Sequence, residues 1–399
     1  MTYLDHAATT PILDEALAVT TEQLRLLGNA SSLHGSGRSA RRSVEEARET
    51  VAGTLGARPG DVVFTSGGTE SDNLALKGLY WSRHRADPRR RRVLASAVEH
   101  HAVLDPLQWL AAEAGAQVEL LPVDRWGRLD LEQLRAAVAA DPGSVALVTV
   151  MWANNEVGTV QPVHDVVAVA AEHQIPVHSD AVQAVGQLPV DFAGSGLDAM
   201  TVSGHKLGGP PGVGALVVRR ETPLVPLLHG GGQERDVRSG TLNTPAIAGF
   251  AAAVEIAVKR QPDHAAELAE LRDELVRRVR HAVPDAVLNG DPGPGLDRRL
   301  PGNAHLTFPG CEGDALLMLL DAQGVECSTG SACSAGVPQA SHVLLAMAQD
   351  DAVARGSLRF SLGWTSTRGD VDHLAEVIGP AVDRARAAAL TTAAAGGPR

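Results

Sequence analysis

The sequence predicts an α/β protein, a largely parallel sheet covered by helices, and three observations carry that prediction. From about residue 39 to residue 200, short β-rich runs alternate with stretches of helical periodicity, the pattern of repeated β–α units. Polar or glycine-rich clusters follow several of these runs, at the edge where such sheets bind ligands. Beyond Thr244 the pattern changes to long helices and mixed elements, which marks a second, smaller domain.

Taken in order, Ala40, Val44, Ala47, Val51 and Leu55 fall on one face of a helix. Strands are expected at Asp61 to Thr65, Val93 to Ser96, Val145 to Val150, Ile175 to His178, Ala199 to Val202 and Val213 to Val218, each short and rich in β-branched residues. Leu268, Leu271, Leu275, Val279 and Val283 share a face of a later helix, and His305 to Phe308 and Leu358 to Leu362 read as strands of the second domain. The boundary falls within or just after the helix that follows Pro245. This gives a large domain over 12–258, a small α+β domain over 259–390, and a disordered alanine-rich tail over 391–399.

At 399 residues, 44% hydrophobic and 21% charged, the composition is that of a globular protein, and no stretch approaches the roughly 20 apolar residues of a membrane span. The N-terminus lacks the features of a signal peptide, so a cytoplasmic location is expected. A formal charge of −12 opposes binding to nucleic acid. The basic run from Arg85 to Arg92 reads as a solvated loop or a dock for an acidic protein. The three cysteines, Cys311, Cys327 and Cys333, form neither a disulfide framework nor a zinc-ligand spacing, and no metal site is expected.

Ser66-Gly67-Gly68-Thr69 joins an expected strand to an expected helix, so free backbone N–H groups and the Thr69 hydroxyl suit an anion such as phosphate. Asp180 closes another strand, and Ser203-Gly204-His205-Lys206 closes the next. An amine, a carboxylate, an aromatic ring and a phosphate cradle are the four parts that pyridoxal phosphate requires. Lys206, Asp180, His100 and the Gly68-Thr69 turn supply them. Each has an ordinary structural reading on its own: a surface lysine, a helix cap, a core histidine, a loop.

Motifs running almost from end to end sharpen this: Tyr3-Leu4-Asp5-His6-Ala7-Ala8-Thr9-Thr10-Pro11, Asn29-Ala30-Ser31-Ser32-Leu33-His34, Ser66 to Asn73, Glu99-His100-His101, Asn154-Asn155-Glu156-Val157-Gly158, Ser203 to Lys206, Arg238-Ser239-Gly240-Thr241 and Ser331-Ala332-Cys333. In these the chain resembles the cysteine desulfurases of the NifS and iron–sulfur-assembly type, pyridoxal-phosphate enzymes of fold type I. The resemblance implies a seven-stranded-type sheet in the large domain and places residues 1–11 with the small one. It implies that Lys206 is the Schiff-base lysine, Asp180 pairs with the ring nitrogen, His100 stacks on the ring, and Asn155 and Gln183 contact its substituents. Phosphate would be held by Gly68, Thr69, Ser203 and His205, with Thr241 reaching in from the other subunit of a homodimer. Arg359 would grip the substrate carboxylate beside Asn29.

Cys333 lies in a run of small residues, Ser328-Thr329-Gly330-Ser331-Ala332-Cys333-Ser334-Ala335-Gly336, expected to form a mobile loop. There its thiolate can take sulfur from L-cysteine as a persulfide and pass it on. Ser331-Ala332-Cys333-Ser334 is similar to the long-loop group, which implies an iron–sulfur scaffold or a tRNA-thiolating enzyme as acceptor, and Cys333 as a candidate ligand of a cluster shared with that scaffold. Leu207-Gly208-Gly209-Pro210-Pro211 and His101 depart from the usual pattern, at positions without an assigned role. The alternatives are a selenocysteine lyase or another small-amino-acid lyase on the same fold, an aminotransferase, and a sulfur-relay protein without catalysis.

Overall fold

The computed structural model describes residues 1–330 and 340–395. Seven strands form the main sheet, in the order Val62–Thr65, Gly214–Val218, Ala199–Ser203, Val177–Asp180, Val145–Thr149, Arg92–Ser96, Gln117–Leu121. Gly214–Val218 runs antiparallel to both of its neighbours, and the other pairings are parallel. The expected α/β class is therefore present, with the six expected strands in place.

The seventh, Gln117–Leu121, escaped the sequence pattern because it is an edge strand in which only Leu121 is buried. The fully buried inner strands, by contrast, read as continuous apolar runs, as parallel strands covered on both faces do.

The helix Gly35–Thr54 lays Val44, Ala47 and Val51 against the sheet, all essentially out of solvent, with Leu55 at its C-cap. A smaller antiparallel sheet, Ser357–Ser361, Asn303–Thr307 and Val287–Leu288, carries a second core that includes Leu306, Phe308, Leu358 and Phe360. Leu4 belongs to that second core, and Thr2–Tyr3 pairs in parallel with Val325–Glu326.

One 39-residue helix, Thr244–Ala282, joins the two cores. It is capped by Asn243, whose side chain accepts from the Ala246 N–H at 3.2 Å. Ile247, Phe250 and Val254 pack into the first core, Leu268, Leu275 and Val279 into the second, with Pro262 between. A further helix, Arg368–Ala395, runs into the segment expected to be disordered: an alanine-rich end is as good a helix former as a frayed tail, and its first turns are held by Leu374 and Ile378.

Candidate active site

The carboxyl ends of Val177–Asp180 and Ala199–Ser203, the start of the helix Gly68–Ala86 and the Gly204–Lys206 turn surround a cavity of about 380 Å³. Ten of the thirteen expected site residues line it: Gly68, Thr69, His100, Asn155, Asp180, Gln183, Ser203, His205, Lys206 and Arg359. Asn29 does not. It is exposed, and its side-chain oxygen accepts from the Ser31 N–H at 2.9 Å. Thr241 is likewise exposed and lies outside the cavity of its own chain. Cys333 lies outside the described residues, although Ser328 and Gly330 on its N-terminal side line the cavity.

Backbone geometry makes the cradle. The Gly68–Ala86 helix begins one residue before Thr69, with Gly67 as its N-cap at φ 144°, a conformation open to glycine and strained for other residues. A Cβ on Gly68 would stand 3.1 Å from Val182 Cγ2, so the missing side chain leaves the room above the helix start open. The first-turn N–H groups have no acceptor within a helix, and they face the same space as Ser203 and His205.

Burial sets the protonation states. Lys206 is pulled down to about 8, first by burial and then by Arg359, against Asp5 and Asp180. Its ammonium donates to Ala8 O at 2.7 Å and also to Ala7 O, to which Gln183 Nε2 donates at 2.9 Å. Asp180 is raised to about 6 by burial, while the Val182 N–H, 2.9 Å from its Oδ1, and Lys206 favour its charged form. His100 caps the helix His101–Ala114, its Nδ1 accepting from the Ala102 N–H at 3.0 Å. Burial and Lys206 pull it to about 4, so it is a flat, neutral ring. His205 is also lowered to about 4, by burial and Lys206.

Arg359, on the outer strand Ser357–Ser361 of the small sheet and opposite His305, enters from the opposite side and is 4% exposed. Nη1 donates to Asn155 O at 2.9 Å and Nη2 to Asp5 Oδ1 at 2.8 Å, while the buried Nε has no partner among the described residues. The fork is thus positioned by protein groups and retains unused donors for a carboxylate.

Three further groups of the site carried no signal of their own in the sequence. Asp72 is one turn into the Gly68–Ala86 helix; Glu156 and His342 sit on the rim, where Ser341 Oγ donates to Glu156 Oε2 at 2.5 Å and His342 Nε2 to Glu99 O at 2.9 Å. Asp72 and Glu156 stand in motifs quoted for their resemblance, and only folding shows what they touch.

A cradle of backbone donors, a buried acid, a neutral imidazole and a lysine whose amine is partly deprotonated near neutral pH together fit pyridoxal phosphate. Residues 2–374 match the aminotransferase class-V family, and the chain belongs to that family, whose cofactor is pyridoxal phosphate. More particularly, it is similar along its whole length to cysteine desulfurases. It is 59% identical over 395 residues to the IscS-like cysteine desulfurase of Mycobacterium tuberculosis, covering 99% of this chain and 100% of that one. It is 41% identical over 385 residues to the cysteine desulfurase IscS of Dictyoglomus turgidum, covering 96% and 95%. Among solved structures, a NifS-like protein superimposes with a TM-score of 0.88 at 36% identity, covering 96% of this chain and all of the other. SspA in complex with cysteine does so with a TM-score of 0.77 at 34% identity, covering 91% and 99%.

Proposed function

We propose that this chain is a cysteine desulfurase that converts L-cysteine to L-alanine and carries the sulfur away as a persulfide on Cys333. The observation that carries this reading is the meeting, in one cavity, of the depressed Lys206 amine, the Asp180 carboxylate and the Arg359 guanidinium. Asp180 would hold the cofactor's ring nitrogen, His100 would cover the ring, Asn155 and Gln183 its substituents, and Gly68, Thr69, Ser203 and His205 the phosphate. The cofactor, when bound, supplies the electron sink for removal of the substrate's Cα proton.

The chain's own residues do the rest. Arg359 fixes the substrate carboxylate with its spare donors, which orients the substrate thiol toward the rim. Lys206, close to half-protonated near pH 8, accepts and returns protons at Cα and Cβ. Cys333 Sγ attacks the substrate sulfur; the new S–S bond forms as the C–S bond breaks, and the electron pair left on Cβ takes a proton to give alanine. The other two thiols are poorly suited to this step: burial pushes Cys327 up to about 12 and raises Cys311 as well.

The reading includes a homodimer. Leu24, Leu26, Leu27 and Leu33 are between 57% and 88% exposed, beside Asn29, and the first three line one groove with Leu242. A second subunit over this patch would cover it and bring Thr241 to the neighbour's phosphate site. The persulfide acceptor would be an iron–sulfur scaffold or a tRNA-thiolating enzyme, Cys333 being available as a shared cluster ligand, and the setting cytoplasmic. Among the described residues no helix is long and apolar enough to cross a membrane. The two cores correspond, in this reading, to a large domain over 12–258 and a small one over 1–11 and 259–390.

The test is an absorbance spectrum of the purified protein between roughly 300 and 500 nm, where bound pyridoxal phosphate absorbs, followed by L-cysteine with assays for alanine and sulfide. A yellow protein that forms both products supports the reading, and a protein that cannot be loaded with pyridoxal phosphate overturns it. Cys333→Ser should retain the spectrum and lose sulfide release.

A further inference from the structure

Asp72 is the least supported carboxyl in the cavity wall. It is 1% exposed, it lines the same cavity as Asp180, and neither of its oxygens has a hydrogen-bond partner among the described residues. The closest ring nitrogen, His178 Nε2, is 3.5 Å from Asp72 Oδ1. That ring is already spoken for, with Nδ1 2.9 Å from Thr149 Oγ1 and Nε2 3.0 Å from Thr201 Oγ1, and burial pulls His178 to about 3, so it brings no positive charge.

The titratable groups that face Asp72 are Asp180 and His178 from the strand Val177–Asp180, and Glu99 from the segment before the helix His101–Ala114. Of the three carboxyls, Asp180 has both an N–H donor, from Val182, and a cation, Lys206, to favour its charge. Glu99 Oε1 accepts the Met151 N–H at 2.7 Å, whereas Asp72 has no N–H donor and no cation among the described residues and faces only the Thr201 hydroxyl, which the His178 ring shares. Ionised carboxylates crowded into a dry space repel, and those without a cation to offset burial keep their protons; burial holds Glu99, which lies outside the cavity lining, well above the ordinary range too. Burial first, and the Asp180 charge second, hold Asp72 well above the ordinary carboxylate range.

We propose that Asp72 is a positioning residue held as a neutral carboxylic acid, so that Asp180 alone presents negative charge to the ring nitrogen of the cofactor. The proposal rests on the reading of Asp180 as the ring-nitrogen partner, but its first test does not need the cofactor. Asp72 acts through Asp180: a second charge at this point would change the basicity of Asp180 and with it the hold on the ring proton.

The folded protein then binds a proton at Asp72 that the unfolded chain has lost above its ordinary carboxylate titration. Stability therefore falls as pH rises through that window, and a neutral isostere removes the loss. Cofactor-free Asp72→Asn should melt above cofactor-free wild type, with a lead that widens from pH 5 to pH 8. A lead that does not change with pH overturns the proposal.

If Asp72→Asn does not fold, the infrared band of a protonated carboxyl in the wild type at neutral pH, compared with Asp72→Ser, decides the same question. Because burial also raises Glu99 and Glu156, the difference between the two spectra is the readout: a protonated-carboxyl component lost in Asp72→Ser supports the proposal, and identical bands in the two proteins, or none in either, overturn it. With pyridoxal phosphate added, Asp180→Asn should loosen binding by about tenfold or more, the scale of one unit of lost charge interaction. Asp72→Asn should loosen it far less, and equal losses would overturn the neutral assignment. A wild type that binds no pyridoxal phosphate would instead fail the functional reading and leave the melting result standing.

Discussion

The cavity has two unlike sides. The side built by the main sheet takes its polar groups from strand ends and the turns directly after them: Asp180, Ser203 and Lys206 lie within 27 residues of sequence, and the Gly67-Gly68-Thr69 start is a single turn. The opposite side is tied together across long stretches of chain. Arg359 meets Asp5 and the Asn155 carbonyl, Ser341 meets Glu156, and His342 meets the Glu99 carbonyl. One side is set by local backbone geometry, the other by tertiary contacts, and the two should fail differently when disturbed.

The largest effect is expected on the sheet side. Lys206→Ala should lower alanine formation by about 10²- to 10⁴-fold, the scale of a positioned acid–base group, and remove the visible cofactor band while the fold persists. On the other side, Arg359→Ala should damage both function and fold. The Asp5 side chain left without its partner is 21% exposed, so the loss should be on the order of 1–3 kcal/mol, which thermal unfolding would record. The milder Arg359→Lys should raise KM for cysteine by about 10- to 100-fold, matching roughly 1.5–3 kcal/mol for hydrogen bonds to a charged group, with a smaller change in kcat. If Lys206→Ala unfolded the protein and Arg359→Ala did not, the contrast between the two sides would be wrong.

Gly67→Ala tests the local geometry directly. At φ 144° an added Cβ should cost on the order of 1–3 kcal/mol in stability and weaken uptake of pyridoxal phosphate, which a titration of the cofactor-free protein would show. The rate of that uptake should also rise with pH and level off above about 8, because the free amine of Lys206 is the reacting form; stopped-flow absorbance would follow it. The smallest effect belongs to the basic run. Arg89 is 80% exposed and pairs with nearby Asp87 on the surface, so Arg89→Ala should leave the melting temperature almost unchanged.

The same contrast explains what could be read from the sequence. Strand-end motifs such as Ser203-Gly204-His205-Lys206 announce themselves because their spacing along the chain is their spacing in the site. Six of the seven main strands were legible for a similar reason, being continuous apolar runs. Gln117–Leu121 was not, because an edge strand need not be apolar. Asp72 looked like any polar residue near the start of a helix, and only the packing of its turn against His178, Thr201 and Asp180 takes it out of water. Ser341 and His342 carry no signal at all, since their partners lie 185 and 243 residues away.

The segment from Leu4 to Ala8 gives the molecule an unusual genetic vulnerability. Leu4 fills the second core, Asp5 holds Arg359, and the carbonyls of Ala7 and Ala8 receive Lys206. Losing those few codons would therefore act as an active-site lesion and a folding lesion at once, whereas additions ahead of the first residue, which is 95% exposed, have open solvent to enter.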